Sequence, residues 1–270
     1  MDLHQSQIAK AHQEVHPTNS HDTHHLQAII PPHPLPHPLP PDAPRPIPIV
    51  TPSKAHPMPT PSSHYNALIA ETDITKPASL DPRELHLLTY SRPHDTCDGI
   101  ELHLGNQAMG YPFACLGHEW KCVEFLYLCG EWSWAGDDAL AIQRDVLTAK
   151  SGYAARRFKK AKYAKRIRPN FTTFRHQWML WCVWQKCLGN KAYRDHLLSI
   201  PDDRVIVEVV KGDPVWAAWP DANGIYHGAN GMGKILTICR RCLLNGTQPD
   251  IDTDLLNAAS IHILGRRIAV

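Results

Sequence analysis

The chain has 270 residues and a formal net charge of +2, with 28 lysines and arginines against 26 aspartates and glutamates. Because these charges nearly balance, the net charge favours no class of partner, and the distribution of charge along the chain is more informative. The sequence has no apolar run of roughly 18 residues, and it does not begin with the basic and then apolar stretch of a signal peptide. We therefore expect a soluble, cytoplasmic protein with no membrane partner.

The N-terminal part of the chain has a biased composition, since the first 64 residues contain ten of the 18 histidines and 15 of the 24 prolines. Proline at every second or third position removes backbone donors and favours polyproline II, and such a segment buries too little apolar surface to fold. We expect residues 1–90 to be a disordered His/Pro-rich arm. It acts as a tether, as a Pro-rich ligand for a protein partner, or as a metal-binding segment. Its histidines lack the spacing of a structural zinc site, so no metal or cofactor is assigned.

Residues 91–270 are predicted to form one folded domain. Helical spacing of apolar residues, with capping residues and terminating glycine or proline, predicts helices at 137–150, 153–165, 172–188, 191–200, from 234 onward, and at 250–264. Strands are expected at 100–104, where apolar and polar residues alternate, and at 205–210, a β-branched run. The predicted fold class is mainly α, with two or three short β-strands. Cys239-Arg-Arg-Cys242 lies in a helical pattern without a second such pair, which favours buried thiols over a zinc site.

Two carboxylates are candidates for acid–base chemistry. Glu124 lies between Val123 and Phe125, and burial in an apolar pocket would raise its pKa and make it a general acid or base. It is equally compatible with a solvent-facing helix start. Asp213 follows the strand at 205–210 and lies close to Trp216, and its alternative role is that of a turn residue before proline. Two carboxylates with aromatic walls suit cleavage of a glycosidic bond.

A glycine-rich loop precedes the helix that starts near Lys234. Gly228, Asn230 and Gly233 allow a ligand to approach the backbone, and the N-terminus of the following helix favours an anion. A loop that needs glycine only for its backbone conformation is the alternative.

A basic run lies between residues 156 and 168. It comprises eight cations, among them Arg156 and Arg157, with Phe158 and Tyr163 interspersed. Such a density attracts a pyrophosphate or a nucleic-acid backbone, although a solvated helix face is the usual explanation of a charge run.

Several short motifs follow one another in the order seen in the NADAR (YbiA-like) family, and the chain resembles that family from about Leu102 to Leu244. The motifs are Leu104-Gly105-Asn106, Tyr111-Pro112-Phe113, Cys122-Val123-Glu124, Ala149-Lys150-Ser151, Ala155-Arg156-Arg157, Met179 with Lys186, Leu197-Leu198, Val207-Glu208, Asp213 with Trp216, and Gly228-x-Asn230-x-x-Gly233-Lys234 with Arg240. The resemblance implies a YbiA-like multihelical domain that cleaves N-glycosidic bonds. It implies a pocket containing Glu124, Asp213, Trp216 and Asn230, with Asn106 also on the substrate side.

The sequence departs from the family pattern at several positions. Glu131 stands where the family has a lysine seven residues after its glutamate, and Phe125 stands in place of a histidine. Phe171 replaces a tryptophan, and Ala217-Ala218-Trp219 replaces a Gly-x-Gly. A mechanism that needs an amine to trap the opened sugar would have only Lys234 or Lys121 as substitutes.

The first hypothesis is therefore an N-glycosidase that acts on ribose-phosphate or ADP-ribose attached to a base, either ADP-ribosylated guanine in nucleic acid or a ribosylamino-pyrimidine phosphate. Glu124 and Asp213 are its catalytic residues. Asn106, Arg156, Arg157, Trp216, Gly228, Asn230, Gly233 and Lys234 are its substrate-binding residues. The alternative is a catalytically degenerate module that binds ADP-ribose or a nucleotide and is recruited through the arm. The third hypothesis is a nucleic-acid binder that uses the basic helix alone.

Overall fold

The computed structural model describes residues 63–268 and 270, so most of the predicted N-terminal arm lies outside the described residues. The helices are α1 (Ser63–Ala70), α2 (Val123–Glu131), α3 (Asp137–Leu147), α4 (Gly152–Ala154), α5 (Ala161–Tyr163), α6 (Phe171–Gly189), α7 (Lys191–Leu198), α8 (Gly231–Asn245) and α9 (Thr253–Ala258). A π-helical turn, Ala155–Lys160, connects α4 to α5, and a 3-10 turn, Ala164–Arg166, follows α5. The strands are β1 (Ala78–Leu80), β2 (His86–Tyr90), β3 (Asp95–Cys97), β4 (Ile100–Leu102), β5 (Phe113–Cys115), β6 (His118–Trp120), β7 (Arg204–Glu208), β8 (Trp219–Pro220), β9 (Tyr226–Gly228), β10 (His262–Ile263) and β11 (Arg266–Arg267).

The expectation of a mainly α fold with two or three strands is wrong, because the described residues form a mixed α/β structure with five small sheets. Three of these sheets are hairpins with two-residue turns, at Asp98-Gly99, Leu116-Gly117 and Leu264-Gly265. Both residues of each turn have positive φ, between 50° and 81°. This is the geometry of the turn that best fits the twist of a hairpin. The strands have only two or three residues, too few to show an alternating pattern in the sequence.

The segment before residue 91 contributes to the fold. Residues 63–90, assigned to the arm in the sequence analysis, contain α1, β1 and β2. Strand β2 pairs in parallel with β7, and buried Leu88 lies opposite Ile206. Strand β1 is an edge of the three-stranded antiparallel sheet β1-β9-β8. A domain boundary at residue 90 therefore cuts through a sheet.

Helix α2 packs across α6 at the centre of the core. All nine residues of α2 are buried, as expected of a helix that is apolar on most of its circumference. The two helices approach closely at Gly130, where an added Cβ would lie 2.1 Å from Trp178 Nε1. That indole nitrogen donates to the Tyr127 carbonyl at 3.1 Å. Because α2 is fully enclosed, its two glutamates are held inside the protein.

The predicted helices differ from the structure mainly at their ends. The last predicted helix, 250–264, is only the six-residue α9, because the chain then turns into the β10–β11 hairpin. Its predicted cap is present, since Asp252 Oδ1 accepts the Leu255 N–H at 2.8 Å. Within the described residues, none of the helices combines the length and apolarity needed to cross a bilayer.

Candidate active site

Glu124 lies in the first turn of α2 and is only 1% exposed. The Asn106 side-chain amide donates to Glu124 Oε2, and the Glu124 backbone N–H donates to the Asn106 carbonyl at 2.8 Å. Burial raises the pKa of the Glu124 carboxyl to about 7. The carboxyl is therefore held in a fixed orientation and exchanges a proton near neutral pH, which is what a general acid or base requires.

Asp213 lies in the turn that follows β7. Its Oδ1 accepts the backbone N–H groups of Val215 at 3.2 Å and Trp216 at 3.0 Å, and its Oδ2 lies 3.7 Å from Arg156 Nη2. The side chain is 19% exposed. Asp213 thus shapes the turn through one oxygen and directs the other towards Arg156, and its catalytic role stays a prediction.

Glu208, the last residue of β7, is a third carboxylate at this position. It retains some accessible surface because it lines two adjoining cavities. Loss of hydration raises the pKa of its carboxyl to about 8, and the neighbouring charge of Asp213 acts in the same direction. At neutral pH the protonated form of the Glu208 carboxyl therefore predominates, and this form can donate a hydrogen bond.

Arg156 is the cation that these acids share. It projects from the π-helical turn, which directly follows α4, and Ser151 caps the start of α4 by accepting the Ala154 N–H at 3.2 Å. Burial lowers the pKa of Arg156, but nearby carboxyls, chiefly Glu124 and Asp213, raise it overall. The guanidinium therefore stays charged and offsets part of the acidic charge of the site.

A second cation, Lys160, enters the site opposite α2. Its Nζ lies 2.5 Å from Glu131 Oε1, and Glu131 is 1% exposed, with no partner for its other oxygen among residues 63–268. Glu131 follows Glu124 by seven residues, two helical turns, so both face the same side of α2. Burial raises the pKa of Glu131, although Lys160 opposes this effect. The basic segment thus places an amine beside α2, where a buried glutamate of that helix holds it.

All of these groups except Glu131 line an inner cavity of about 40 Å³, which adjoins an outer cavity of about 400 Å³. The inner cavity has aromatic walls at Tyr127 and Trp216, whose rings meet edge to face at a centroid distance of 5.9 Å. The residues common to the two cavities are Asn106, Arg156, Glu208 and Val210. A ligand in the outer cavity would therefore extend its reacting end towards Glu124.

The outer cavity is lined by cations and by the exposed ring of Tyr153, and the ring of Phe158 lies next to Arg157 outside the lining. Arg92, Arg156 and Arg157 contribute positive charge. Arg157 donates to the Tyr153 hydroxyl at 2.9 Å and lies 5.5 Å from the Phe158 ring centroid. Tyr153 and Phe158 are more than half exposed, at 55% and 61%. Guanidinium groups beside open aromatic faces suit a phosphate attached to a planar base.

Gly228, Gly233 and Lys234 of the glycine-rich loop line neither cavity, although Met232 of the same loop lines the inner one, and their substrate-binding role stays a prediction. The first N–H groups of α8 are occupied, since Gly231 donates to the Val215 carbonyl at 3.2 Å and Met232 donates to the Trp216 carbonyl at 3.0 Å. Added Cβ atoms at Gly228 and Gly233 would lie 2.2 Å from the Ala217 carbonyl oxygen and 2.1 Å from the Ile206 carbonyl oxygen, respectively. The glycines thus serve close packing of backbone on backbone.

Asn230 and Lys234 have structural partners as well. The Asn230 side chain donates to the Ile206 carbonyl at 2.8 Å and accepts the Glu208 N–H at 3.2 Å, which holds α8 against β7. Lys234 Nζ donates to the carbonyls of Asp73 at 3.0 Å and Lys76 at 2.5 Å. Of the two lysines considered from the sequence as substitute amines, neither lines the inner cavity, since Lys121 is exposed on the surface.

Much of the basic run is neutralised within the molecule. Asp145 binds Lys159 at 2.7 Å and Lys162 at 3.1 Å, and it also accepts from the Tyr163 hydroxyl at 2.8 Å. Further partners occupy Lys160, Arg166 and Arg168. This pairing weakens the hypothesis of a nucleic-acid binder that uses this segment alone, since of the run's two cations in the outer cavity only Arg157 has no carboxylate partner among the described residues.

Two residues of the site, Glu208 and Lys160, were missed by sequence reasoning. Glu208 is flanked by Val207 and Val209 in a β-branched run, the same kind of signal that singled out Glu124. Lys160 follows Arg156 by four residues, so both lie on one face of the basic segment. The sequence does not show which face of the basic segment is turned towards the inner cavity.

No protein-family model matches the chain, and no curated protein matches it. One solved structure is similar. It is the NMR structure of the E. coli protein YbiA, with 21% sequence identity and a TM-score of 0.45, covering 58% of this chain and 84% of that one. The protein found is the one that gives the YbiA-like family its name, as the sequence resemblance indicates. At this identity and TM-score the likeness carries no information on activity, and the chemistry is argued from the geometry of the site.

Proposed function

We propose that the chain is an N-glycosidase that hydrolyses the bond between a ribose-phosphate or ADP-ribose moiety and a base. The observation that carries the proposal is the position of Glu124, a buried carboxyl with a pKa of about 7 in a cavity shared with Asp213 and Trp216. The alternative, a module that binds such ligands without cleaving them, requires the same cavities but no group that transfers a proton.

The two cavities would hold different parts of the substrate. The phosphate or pyrophosphate would lie in the outer cavity against Arg92 and Arg157, and the sugar would extend past Arg156 into the inner cavity. The inner cavity is too small for a base and a sugar together, so we assign to it the sugar carbon that reacts and the nitrogen bonded to it. Binding energy from the phosphate would then hold the reacting bond close to Glu124.

The proposed reaction breaks the bond between the anomeric carbon and the base nitrogen. Protonated Glu124 gives its proton to the departing nitrogen, and Asp213 stabilises the positive charge that develops on the sugar. Water then adds to the anomeric carbon and returns its proton to Glu124, which restores the starting state. Trp216 stacks against the sugar or the base and excludes water.

Replacing Glu124 by glutamine tests this proposal, because the amide keeps the shape and the Asn106 contact but transfers no proton. We expect Glu124→Gln to lose at least about 100-fold in the rate of base release from ADP-ribosylated DNA or from ribosylamino-pyrimidine phosphates. Its affinity for ADP-ribose should remain within a few-fold of the parent chain. Glu119→Gln, which changes an exposed carboxyl on β6, is the matched control and should retain full activity.

Three outcomes distinguish the hypotheses. Base release by the parent chain and its loss in Glu124→Gln supports the glycosidase. Binding of ADP-ribose by the parent chain without release of base from either substrate class supports the binding module instead. Unchanged release by Glu124→Gln removes Glu124 from the mechanism.

A further inference from the structure

A group of three possible metal ligands lies on the β3–β4 hairpin, away from the carboxylates of the inner cavity. His94, Glu101 and His103 each offer a ligand atom, and these atoms all lie within 4.8 Å of one another. The site is accessible, because the side chains of His94 and Glu101 are 68% and 58% exposed. Neither the proposed glycosidic chemistry nor the substrate contacts involve these residues.

The hairpin register explains why the three residues meet. Asp95 pairs with Leu102 and Thr96 pairs with Glu101, so His94 and His103 occupy the next opposing positions. Residues two apart on one strand project from the same face, which places Glu101 beside His103. The Asp98-Gly99 turn sets this register, and a slip of one residue would separate the ligands.

The local geometry is close to that of a metal site. His94 Nδ1 lies 3.1 Å from Glu101 Oε1, and every pair of possible ligand atoms in the group lies within 4.8 Å. In a tetrahedral zinc site with bonds of about 2.0–2.1 Å, ligand atoms are about 3.3 Å apart. His94 adopts a φ of 75°, a conformation that residues with a side chain seldom adopt, and in this conformation its ring faces His103.

Two imidazole nitrogens beside the cluster have no hydrogen-bond partner within the described part of the chain. They are Nε2 of His103 and Nε2 of His196, and both atoms are buried. The rings of both histidines pack against Tyr111, at centroid distances of 5.9 Å and 6.0 Å. Buried polar atoms normally have a partner, and a bound ion would supply one here.

We propose that His94, Glu101 and His103 bind a divalent transition-metal ion of the zinc class. Two imidazoles and one carboxylate are a donor set that zinc accepts, whereas calcium and magnesium prefer oxygen ligands alone. The ion would join the open end of the hairpin to the segment that leads into Asn106. Since Arg92 precedes His94 and Gly105 follows His103 by two residues, it would also stabilise one wall of the outer cavity.

The test measures Zn²⁺ bound to the full-length chain at a fixed free Zn²⁺ concentration, by elemental analysis after equilibrium dialysis. We expect His103→Ala to bind about one ion per chain fewer than the parent. His227→Ala is the matched control, because His227 also lies on a strand and pairs with a carboxylate, Asp221, at 3.2 Å. It should bind as many ions as the parent. Ions held by histidines of residues 1–62 contribute equally to every variant and cancel in the difference.

A second variant covers the case in which His103→Ala does not fold. Glu101→Gln changes an exposed side chain and should weaken the same site at least about tenfold without altering the fold. Zn²⁺ should also raise the thermal midpoint of the parent and of His227→Ala, because an ion that binds only the folded chain stabilises it. Equal metal content in the parent, His103→Ala and Glu101→Gln would overturn the proposal and leave His94 and Glu101 as a simple ion pair.

Discussion

The raised pKa of Glu124 makes a prediction that needs no knowledge of the substrate. Below about pH 4.5 the carboxyl is protonated in the folded and the unfolded chain alike. As the pH rises from 4.5 towards 7, the unfolded chain releases the proton first, so the folded state loses relative stability. Above about pH 7 both forms are ionised and the loss stays constant. Replacing Glu124 by glutamine removes this titration from both states.

The size of the effect follows from the two pKa values. The interval between 4.5 and about 7 corresponds to about 3 kcal/mol at about 1.4 kcal/mol per pKa unit. About 2.5 kcal/mol of this falls between pH 5 and pH 8.5. Relative to the parent chain, Glu124→Gln should therefore gain about 2.5 kcal/mol of unfolding free energy over that range. For a folded region of this size, the gain corresponds to about 5–10 °C in the thermal midpoint.

Denaturant and thermal unfolding of the parent, Glu124→Gln and the exposed control Glu119→Gln, at pH 5, 7 and 8.5, measure this gain. Groups that are not coupled to Glu124, such as Asp145, contribute equally to all three chains and cancel in the differences. The difference in unfolding free energy between Glu119→Gln and the parent should be the same at each pH. If the gap between Glu124→Gln and the parent is also independent of pH, the carboxyl is not desolvated, and the argument for Glu124 as an acid near neutral pH fails.

Two further substitutions separate the residues that bind ligand from those that hold the fold. Arg157→Ala should weaken binding of ADP-ribose and reduce its dependence on salt, whereas Lys165→Ala, which removes an exposed cation outside the cavity lining, should do neither. Calorimetric titration at two salt concentrations measures both effects. Lys234→Met should lower the unfolding free energy by about 1–3 kcal/mol, because two backbone carbonyls lose their donor, and leave ADP-ribose affinity within about twofold. A loss of affinity without a loss of stability would assign Lys234 to the ligand instead.

The helices of the core could be predicted because their patterns are long. The segment predicted as 172–188 is α6, 171–189, and the acidic start of α3 was located at its first residue. Strands of two or three residues are too short to show an alternating pattern. The sequence therefore indicates these hairpins only through the glycine in the second position of each turn. Asp98-Gly99 is a common hairpin dipeptide, whereas Leu116-Gly117 and Leu264-Gly265 require a leucine at positive φ, which tertiary packing imposes and local propensity does not predict.

In the candidate site, too, local sequence predicts burial but not three-dimensional contacts. A glutamate within an apolar run indicates a buried carboxylate, and this pattern applies to Glu208 as well as to Glu124. The glycine-rich loop was assigned to an anion because glycine allows both close approach of a ligand and close approach of backbone. Only the three-dimensional structure shows that the carbonyls of Ala217 and Ile206 fill the space a phosphate would need at Gly228 and Gly233.

The charges of the inner cavity suggest how it would favour a transition state over a substrate. Three acids, Glu124, Glu208 and Asp213, line it together with the cations Arg156 and Lys160, and Glu131 pairs with Lys160 from behind the cavity wall. The pKa values of Glu124, Glu131 and Glu208 are all raised, so the cavity retains protons near neutral pH. A positive charge on the sugar would favour the ionised carboxylates, and this interaction would be absent in the neutral ground state.

A permanently cationic sugar-ring analogue that carries a phosphate tests this electrostatic argument. Its affinity relative to an uncharged analogue of the same shape should increase at least about tenfold between pH 6 and pH 8.5, as Glu124 and Glu208 lose their protons. The uncharged analogue corrects for titration of the phosphate and of the outer cavity. In Glu124→Gln the increase should be smaller, because one of the two titrating carboxyls is gone. A ratio of affinities that does not change with pH would mean that the cavity binds sugar phosphates without complementarity to a developing positive charge.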